Sequence, residues 1–374
     1  MMKRVQKIRG ISAVCLLAVP LALSGCGLFG SESSSIDAPP PEIEAQMLQA
    51  GDGTSLDSGV FGPVVQEEVQ TTAKGSTSNS QGTASGDRST VFLEDGNGLL
   101  APVSLSLPKS KESTTLTSSL MALVSKGEYA SSLPEGFQGV LPAGTEVQSV
   151  TVDKSNLAVV EFNSEFNSYD PQDERKILEA ITWTLTGQEN IQGVQLWVDG
   201  KKLTEMPLQG TPLDRPLTRT IGINLPKQGP LLMNSSAVTV YFSTTSPDGN
   251  QYYVPVTRFV PAGQEQLTAA LNELIAGPES GDGLEMVMTQ GTKLESVDAG
   301  QNGVVTVSLT DDMFADGKDV PAEMLESVVL TVAQNTDDAL VQIRLNGKES
   351  VTDSDHVDYS KPVSAPEYLN ELPL

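Results

Sequence analysis

Apolar residues fall into two rhythms along this chain, one strand-like and one helical, and both return in the same order further on. Thr90 to Leu93 and Leu100 to Leu107 flank the turn Asp95-Gly96-Asn97, the pattern of a β-hairpin. Between Thr114 and Ser125, Leu116, Leu120, Leu123 and Val124 follow the i, i+4, i+7, i+8 spacing that lines one face of a helix. Leu133 to Gly144 is punctuated by Pro and Gly and reads as loop. Glu146 to Val152 and Leu157 to Phe162 read as strands about the turn Asp153-Lys154-Ser155-Asn156. Asp170, Pro171 and Asp173 then supply an N-cap, a first-turn proline and a capping-box acid for a helix carrying Ile177, Leu178, Ile181 and Leu185. Gly187 ends that helix, and Val194 to Val198 alternates as a closing strand.

The same order recurs because the sequence repeats. A shift of 147 positions lays Thr145–Lys201 on Thr292–Lys348 without a gap, matching Thr145, Ser149 and Val150 to Thr292, Ser296 and Val297, and Gly200-Lys201 to Gly347-Lys348. With small gaps, Asp95-Gly96-Asn97 answers to Asp248-Gly249-Asn250 and Pro102-Val103 to Pro255-Val256. The second copy accordingly predicts strands at Ala237 to Phe242 and Tyr252 to Phe259, then a helix from Gln264 to Ala276. Strands at Lys293 to Asp298 and Val304 to Leu309, a helix from Ala322 to Ala333 and a strand from Val341 to Leu345 follow. The expected fold class is α+β, with two tandem copies of a β-β-α-β-β-α-β domain, each an antiparallel or mixed sheet with helices on one face. The copies occupy 89–230 and 231–374, the second with a C-terminal extension. Pro226-Lys227-Gln228-Gly229-Pro230 joins them so tightly that they are expected to touch.

The N-terminal quarter has a different character. Lys3, Arg4, Lys7 and Arg9 precede an apolar run from Ile11 to Leu23 that is too short, and too interrupted by Pro20, to be a permanent span. Leu23-Ser24-Gly25-Cys26 follows and matches the lipobox of bacterial lipoproteins. Residues 1–25 are therefore read as a signal peptide and Cys26 as the lipidated residue, anchored to the membrane through diacylglycerol on its sulfur. Two cysteines in all, Cys15 within the signal peptide and Cys26, leave no thiol for a disulfide, metal site or nucleophile. Residues 26–88 are rich in Ser, Gly, Pro and acids and cannot offset the entropy of ordering themselves; they read as a flexible, disordered tether. The net charge of −25 excludes nucleic acid as a partner and opposes electrostatic binding to anionic headgroups.

The search for catalytic chemistry returns little. The one histidine is His356, and no G-x-S-x-G, P-loop or HExxH occurs. Ser106-Leu107-Pro108-Lys109 has the letters of S-x-x-K but runs off a strand instead of opening a helix. Asp353, Asp355, His356 and Asp358 could hold a cation weakly, yet read better as a solvated turn. No catalytic residue, metal-ligand set or cofactor is expected. Aromatic placement is more informative: in the strand Val194 to Val198, Trp197 falls on the face away from Val194, Leu196 and Val198, and Val159 shares that face if the two strands are neighbours. Trp183 lies about 140° around its helix from Leu178, at 100° per residue, and Leu330 has the same offset in the second copy. Trp197, Val159, Trp183 and Leu330 are thus the candidates for contact with a partner or with the other domain.

Leu141-Pro142-Ala143-Gly144-Thr145-Glu146-Val147-Gln148-Ser149-Val150, followed by Leu157-Ala158-Val159-Val160-Glu161-Phe162-Asn163-Ser164-Glu165-Phe166, resembles the signature of the GerMN domain family, a sporulation and spore germination module. The second copy keeps Gly291-Thr292 and Ser296-Val297 but has Asp311-Asp312-Met313-Phe314 in place of Ser-Glu-Phe. The resemblance implies a non-enzymatic lipoprotein on the extracytoplasmic face of the cell membrane. It would assemble with other sporulation envelope proteins in the space between mother cell and forespore. The second reading is a lipoprotein that binds or processes peptidoglycan.

Overall fold

The computed structural model describes residues 86–108, 114–226, 234–300, 302–315, 319–336, 339–348 and 350–374. The signal peptide, Cys26, the tether up to residue 85 and residues 227–233 of the join lie outside the described residues, and β1 begins at Gly86, three residues before the expected start of the first copy. The first repeat comprises β1 (Gly86–Glu94), β2 (Leu100–Pro108), α1 (Thr115–Ala122), β3 (Val147–Val152), β4 (Leu157–Phe162), α2 (Glu174–Thr186), β5 (Gly193–Val198) and a short β6 (Lys201–Lys202). The second comprises β7 (Ser235–Thr245), β8 (Gln251–Pro261), α3 (Gln266–Ala276), β9 (Lys293–Ala299), β10 (Val304–Thr310), α4 (Ala322–Gln334) and β11 (Leu340–Leu345). Both copies therefore run β-β-α-β-β-α-β. Asp170 does cap, accepting from the Gln172 N–H, but Pro171–Asp173 winds as a 3-10 turn and the α-helix proper starts at Glu174.

Each repeat carries one mixed sheet. Its members are β3-β4-β5-β6 in the first copy and β9-β10-β11 in the second. The pair joined by a turn is antiparallel, whereas β4/β5 and β10/β11, joined through a helix, are parallel. A parallel neighbour requires a long crossover, and α2 and α4 provide it. The hairpins β1/β2 and β7/β8 form separate two-stranded sheets. They lie against the helices, so each repeat is layered as sheet, helices and hairpin, and the helices are covered more fully than by a sheet alone. In α2, Ile177, Leu178, Ile181, Trp183, Thr184 and Leu185 are all buried. A buried threonine on each second helix fixes the hairpin edge: the Phe92 N–H donates to Thr184 Oγ1 at 2.9 Å and the Tyr241 N–H to Thr331 Oγ1 at 3.1 Å. An otherwise open strand edge is thereby satisfied.

The two repeats form one compact unit through a reciprocal exchange of their tails. After β6 the first tail runs along β5, pairing Leu217 with Val194, and then crosses to β8 of the second repeat. There Thr257 N donates to Ile223 O and Ile223 N donates to the Thr257 side-chain Oγ1, both at 2.9 Å. The second tail runs along β11, pairing Val363 with Val341, and crosses to β2, where Ser104 N donates to Leu369 O at 3.1 Å. The next residue in each tail is an asparagine with positive φ, Asn224 at 48° and Asn370 at 54°. Asn224 Nδ2 donates to Leu100 O and Pro255 O, and its Oδ1 accepts from Leu100 N, all at 2.8 Å. Asn370 Nδ2 donates to Tyr253 O at 2.8 Å and Pro102 O at 2.6 Å, and its Oδ1 accepts from Tyr253 N at 2.8 Å. Leu100 corresponds to Tyr253 and Pro102 to Pro255 in the repeat alignment, so one asparagine does on β2 what the other does on β8. The contact is isologous, like that of a two-fold dimer built within one chain. Gly222 makes the crossing feasible: its φ is 78°, and an added Cβ would lie 3.1 Å from Thr257 Oγ1.

Two carboxylates at equivalent positions sit beside this junction. Glu179 Oε2 accepts from Asn224 N at 3.0 Å and is paired with Arg175 at 2.7 Å; Glu326 Oε2 accepts from the Tyr253 hydroxyl at 2.8 Å. Burial pushes both up, outweighing the Arg175 charge in one case and the tyrosine hydrogen bond in the other. Glu265 behaves oppositely. Burial raises it too, but the Thr268 and Leu267 N–H groups of the α3 N-terminus outweigh that and hold it below its ordinary value.

Replacing Asn224 or Asn370 with Ala should lower the unfolding free energy by about 1–3 kcal/mol, because main-chain groups lose their partners at a buried junction. Asp at either site, which keeps the acceptor but lacks the amide N–H, should lose most of the same stability; urea melts of the variants measure this. The raised carboxylates add a pH dependence. A group raised on folding contributes fully below its ordinary pKa and loses that contribution as pH rises through the raised value, so Glu179 and Glu326 favour the fold increasingly as pH falls toward the ordinary carboxylate range. Below about 4 the depressed groups such as Glu265 lose their contribution as they protonate. The urea midpoint should therefore peak at mildly acidic pH, and Glu326→Gln should flatten its alkaline side.

Candidate functional site

The sheet of the first repeat has one face against the helices and one open. On β4 and β5 burial alternates residue by residue: Ala158, Val160, Phe162, Val194, Leu196 and Val198 are buried, while Val159, Glu161, Gln195 and Trp197 are half-exposed. Parallel pairing sets Val159 beside Gln195 and Glu161 beside Trp197, so Val159 and Trp197 occupy the same face at diagonal positions. Thr151 and Ser149 extend these rows onto β3, and Lys202 faces Trp197 from β6.

Polar bonds hold the aromatic in place. The Trp197 indole N–H donates to Gln195 Oε1 at 3.1 Å. Glu161 accepts from Ser149 Oγ at 3.2 Å and from Gly200 N at 2.9 Å, so both its oxygens are occupied within the sheet. An indole whose one donor is satisfied locally presents mainly apolar surface to whatever approaches it. The matching face of the second repeat carries Thr306, Ser308, Gln342 and Arg344, of which Gln342 donates to Ser360 O at 2.6 Å. The two open faces thus differ in chemistry, with Arg344 where the first repeat has Trp197.

Trp183 and Leu330 are covered, as their helical offset suggested, and the correction concerns the partner alternative, because neither is at the surface. Trp183 is fully buried in the first repeat's own core. It packs edge-on against Phe92 of β1 with ring centroids 5.5 Å apart, and its indole N–H donates to Gly222 O at 2.9 Å. Arg219 stacks over the ring at 4.5 Å and reaches across to Gln334 of α4 at 2.8 Å. Leu330 is buried with Tyr241, Tyr253 and Leu369. The hairpin layer and the exchanged tails cover both side chains, so a partner reaches neither of them in this fold.

The buried carboxylates are all engaged in building the fold. Asp95 accepts from the Asn97 and Leu99 N–H groups and from the Tyr252 hydroxyl. Glu174 accepts from Tyr169, Gln209 and Thr211; burial raises it, but these donors outweigh that and hold it below the usual carboxylate range. Asp353 caps the turn that contains His356, accepting from the Asp355 and Val357 N–H groups. Among the described residues no group of three His, Cys, Asp or Glu side chains is placed to hold a metal, and no helix is long and apolar enough to cross a membrane. Cys26 lies outside the described residues.

Sequence reasoning passed over Asn224 and Asn370. A signal was present, because Ile223-Asn224 and Leu369-Asn370 repeat at a shift of 146, one residue away from the shift that aligns the domains. It also passed over Met286 and Met313, which are 50% and 58% exposed.

The comparisons agree with this architecture. A family model described as "Germane: Sporulation and spore germination" matches residues 90–204 and 239–351. The chain is similar to the spore germination protein GerM of Bacillus subtilis (strain 168), with 34% identity over 372 residues covering 96% of this chain and 97% of that one. It is also similar to the solved structure of the tandem GerMN domains of the sporulation protein GerM from Bacillus subtilis, with a TM-score of 0.70 and 35% identity over 76% of this chain and 99% of that one.

The two tryptophans should separate cleanly in thermal or urea melts. Trp183→Ala should cost about 3–5 kcal/mol, as expected for emptying a fully buried aromatic site. Trp197→Ser, on the open face, should stay within roughly 1 kcal/mol of the parent.

Proposed function

We propose the following for this chain, which belongs to the Germane family of sporulation and spore germination proteins: it is a membrane-anchored assembly protein, without enzymatic activity, that works in the sporulation envelope. The lipobox ending at Cys26 anchors it on the extracytoplasmic face of the membrane, in the space between mother cell and forespore.

The observation that carries this reading is the open face of the first sheet. Trp197 and Val159 stand there on a rigid platform, with the indole oriented by Gln195 and the neighbouring carboxylate held by Ser149 and Gly200. Rigid aromatic anchors of this kind dominate binding energy at protein interfaces. The buried acids support the same view, since each spends its oxygens on main-chain, tyrosine, arginine or threonine donors.

The test is cross-linking and capture from sporulating cells with the parent chain, Trp197→Ser and Cys26→Ala. Trp197→Ser should retain the parent's melting behaviour and lose defined envelope proteins from the captured set. Cys26→Ala should leave the membrane fraction and lower the yield of spores. Identical protein sets for parent and Trp197→Ser would remove the open face from the proposal. Recovery of glycan strands alone would replace it with the peptidoglycan reading.

A further inference from the structure

The second repeat differs from the first at one place in a way the shared fold does not require. Met286 and Met313 project at 50% and 58% exposure, Met288 lies buried beneath them, and with Gln290, Asp311 and Asp312 they line an open cleft of about 750 Å³. In the first repeat the positions of Met286 and Met288 are Gly139 and Leu141, and this segment is fastened to the end of α1. Leu141 N donates to Leu123 O, and Ser125 N to Leu141 O, both at 2.8 Å. A Cβ on Gly139 would lie only 2.3 Å from Leu123 O, so no larger residue fits there. The first repeat also ends β4 with Phe166 stacked on Phe162 at 4.6 Å. At the 147-residue shift the position of Phe166 is Met313, which is exposed, and the next residue, Phe314, is the buried one.

The floor of this cleft holds a fixed negative charge. Asp311 accepts from Thr289 Oγ1, from Thr292 Oγ1 at 2.7 Å and from Met313 N at 2.9 Å. Asp312 is exposed beside it. Methionines are flexible and polarizable, and surfaces lined by them adapt to apolar side chains of varied shape. Three occupants could cover such a patch: a membrane, a second copy of this chain, or a partner segment. The charge decides among them. Anionic headgroups are repelled by the aspartates, and a second copy carrying a net charge of −25 is repelled as well. What complements the cleft is an apolar surface flanked by lysine or arginine.

We propose that the methionine cleft of the second repeat is a docking site for an amphipathic, basic segment of a protein partner. The inference rests on the assembly reading above and gives the second repeat a contact separate from the Trp197 face. Apolar side chains of the segment pack on Met286 and Met313, and its basic flanks pair with the exposed Asp312, the buried charge of Asp311 adding to the local potential.

The test uses the full chain carrying labelled methionine methyl groups, with Cys26→Ser to keep it free of lipid. It is titrated with a Leu/Lys amphipathic peptide of about five helical turns, with a Leu/Glu peptide of the same length, and with phosphatidylglycerol vesicles. The Leu/Lys peptide should shift the methyl resonances of Met286 and Met313, with an affinity that weakens as salt is added. A Met286→Gln/Met313→Gln double variant should lose roughly tenfold or more in affinity, which corresponds to about 1.4 kcal/mol. Asp312→Lys, which leaves the methionines in place, should also weaken binding and serves as the deciding variant if the double variant melts early. Equal binding of the Leu/Glu peptide, methyl shifts caused by the vesicles, or undiminished affinity in Asp312→Lys would overturn the proposal. The cross-linking with Trp197→Ser reads a different face, so a negative result here leaves the assembly reading standing.

Discussion

The structure depends on the exchange of tails between the two repeats. Each repeat closes its own sheet with a segment that pairs along β5 or β11, then sends the next few residues across to the other repeat's hairpin. The asparagine at the end of each crossing bonds both hairpins at once: Asn224 Nδ2 donates to Leu100 O and Pro255 O, and Asn370 Nδ2 to Tyr253 O and Pro102 O. Because the contact is reciprocal, neither hairpin is complete without the other repeat. The two copies consequently form one body instead of two beads on a linker.

That constraint accounts for the layering within each repeat. A hairpin of two strands has little stability by itself. Here one of its edges is bonded by Thr184 or Thr331, the other receives a tail, and its inner face covers the second helix. Trp183 and Leu330 are the side chains over which the hairpins close, and Arg219 links the Trp183 ring to α4 of the other repeat. Glu179 is buried and Glu326 partly buried beside this closure, which couples the stability of the junction to pH.

With the helices and hairpins occupied, the surfaces left for partners are on the outside of the sheets and around their ends. The two repeats use that freedom differently. The first offers a flat face with an oriented indole; the second has Arg344 on the same face and a methionine-lined cleft, whereas the counterpart segment in the first repeat borders a smaller pocket edged by Glu94, Asp170, Asp173 and Lys176. Duplication therefore supplied a rigid pair of scaffolds, and divergence at a few positions gave each a different surface chemistry.

The sequence by itself determined the element order, the repeat and the two faces of the first sheet. These rest on local periodicity and on turn residues, and such signals survive without knowledge of what packs where. Val159 and Trp197 could be set on one face from strand alternation alone. Tertiary structure decided the rest. The helical offset of Trp183 and Leu330 marked them as covered, but periodicity could not say by what, since the answer is a hairpin distant in sequence and a crossing tail. Asn224 and Asn370 look like ordinary turn residues until the main-chain groups they satisfy, more than a hundred positions away, are brought beside them. The methionine cleft was hidden for the same reason: Met286 and Met313 are separate apolar residues in the sequence, and only the fold brings them to one opening.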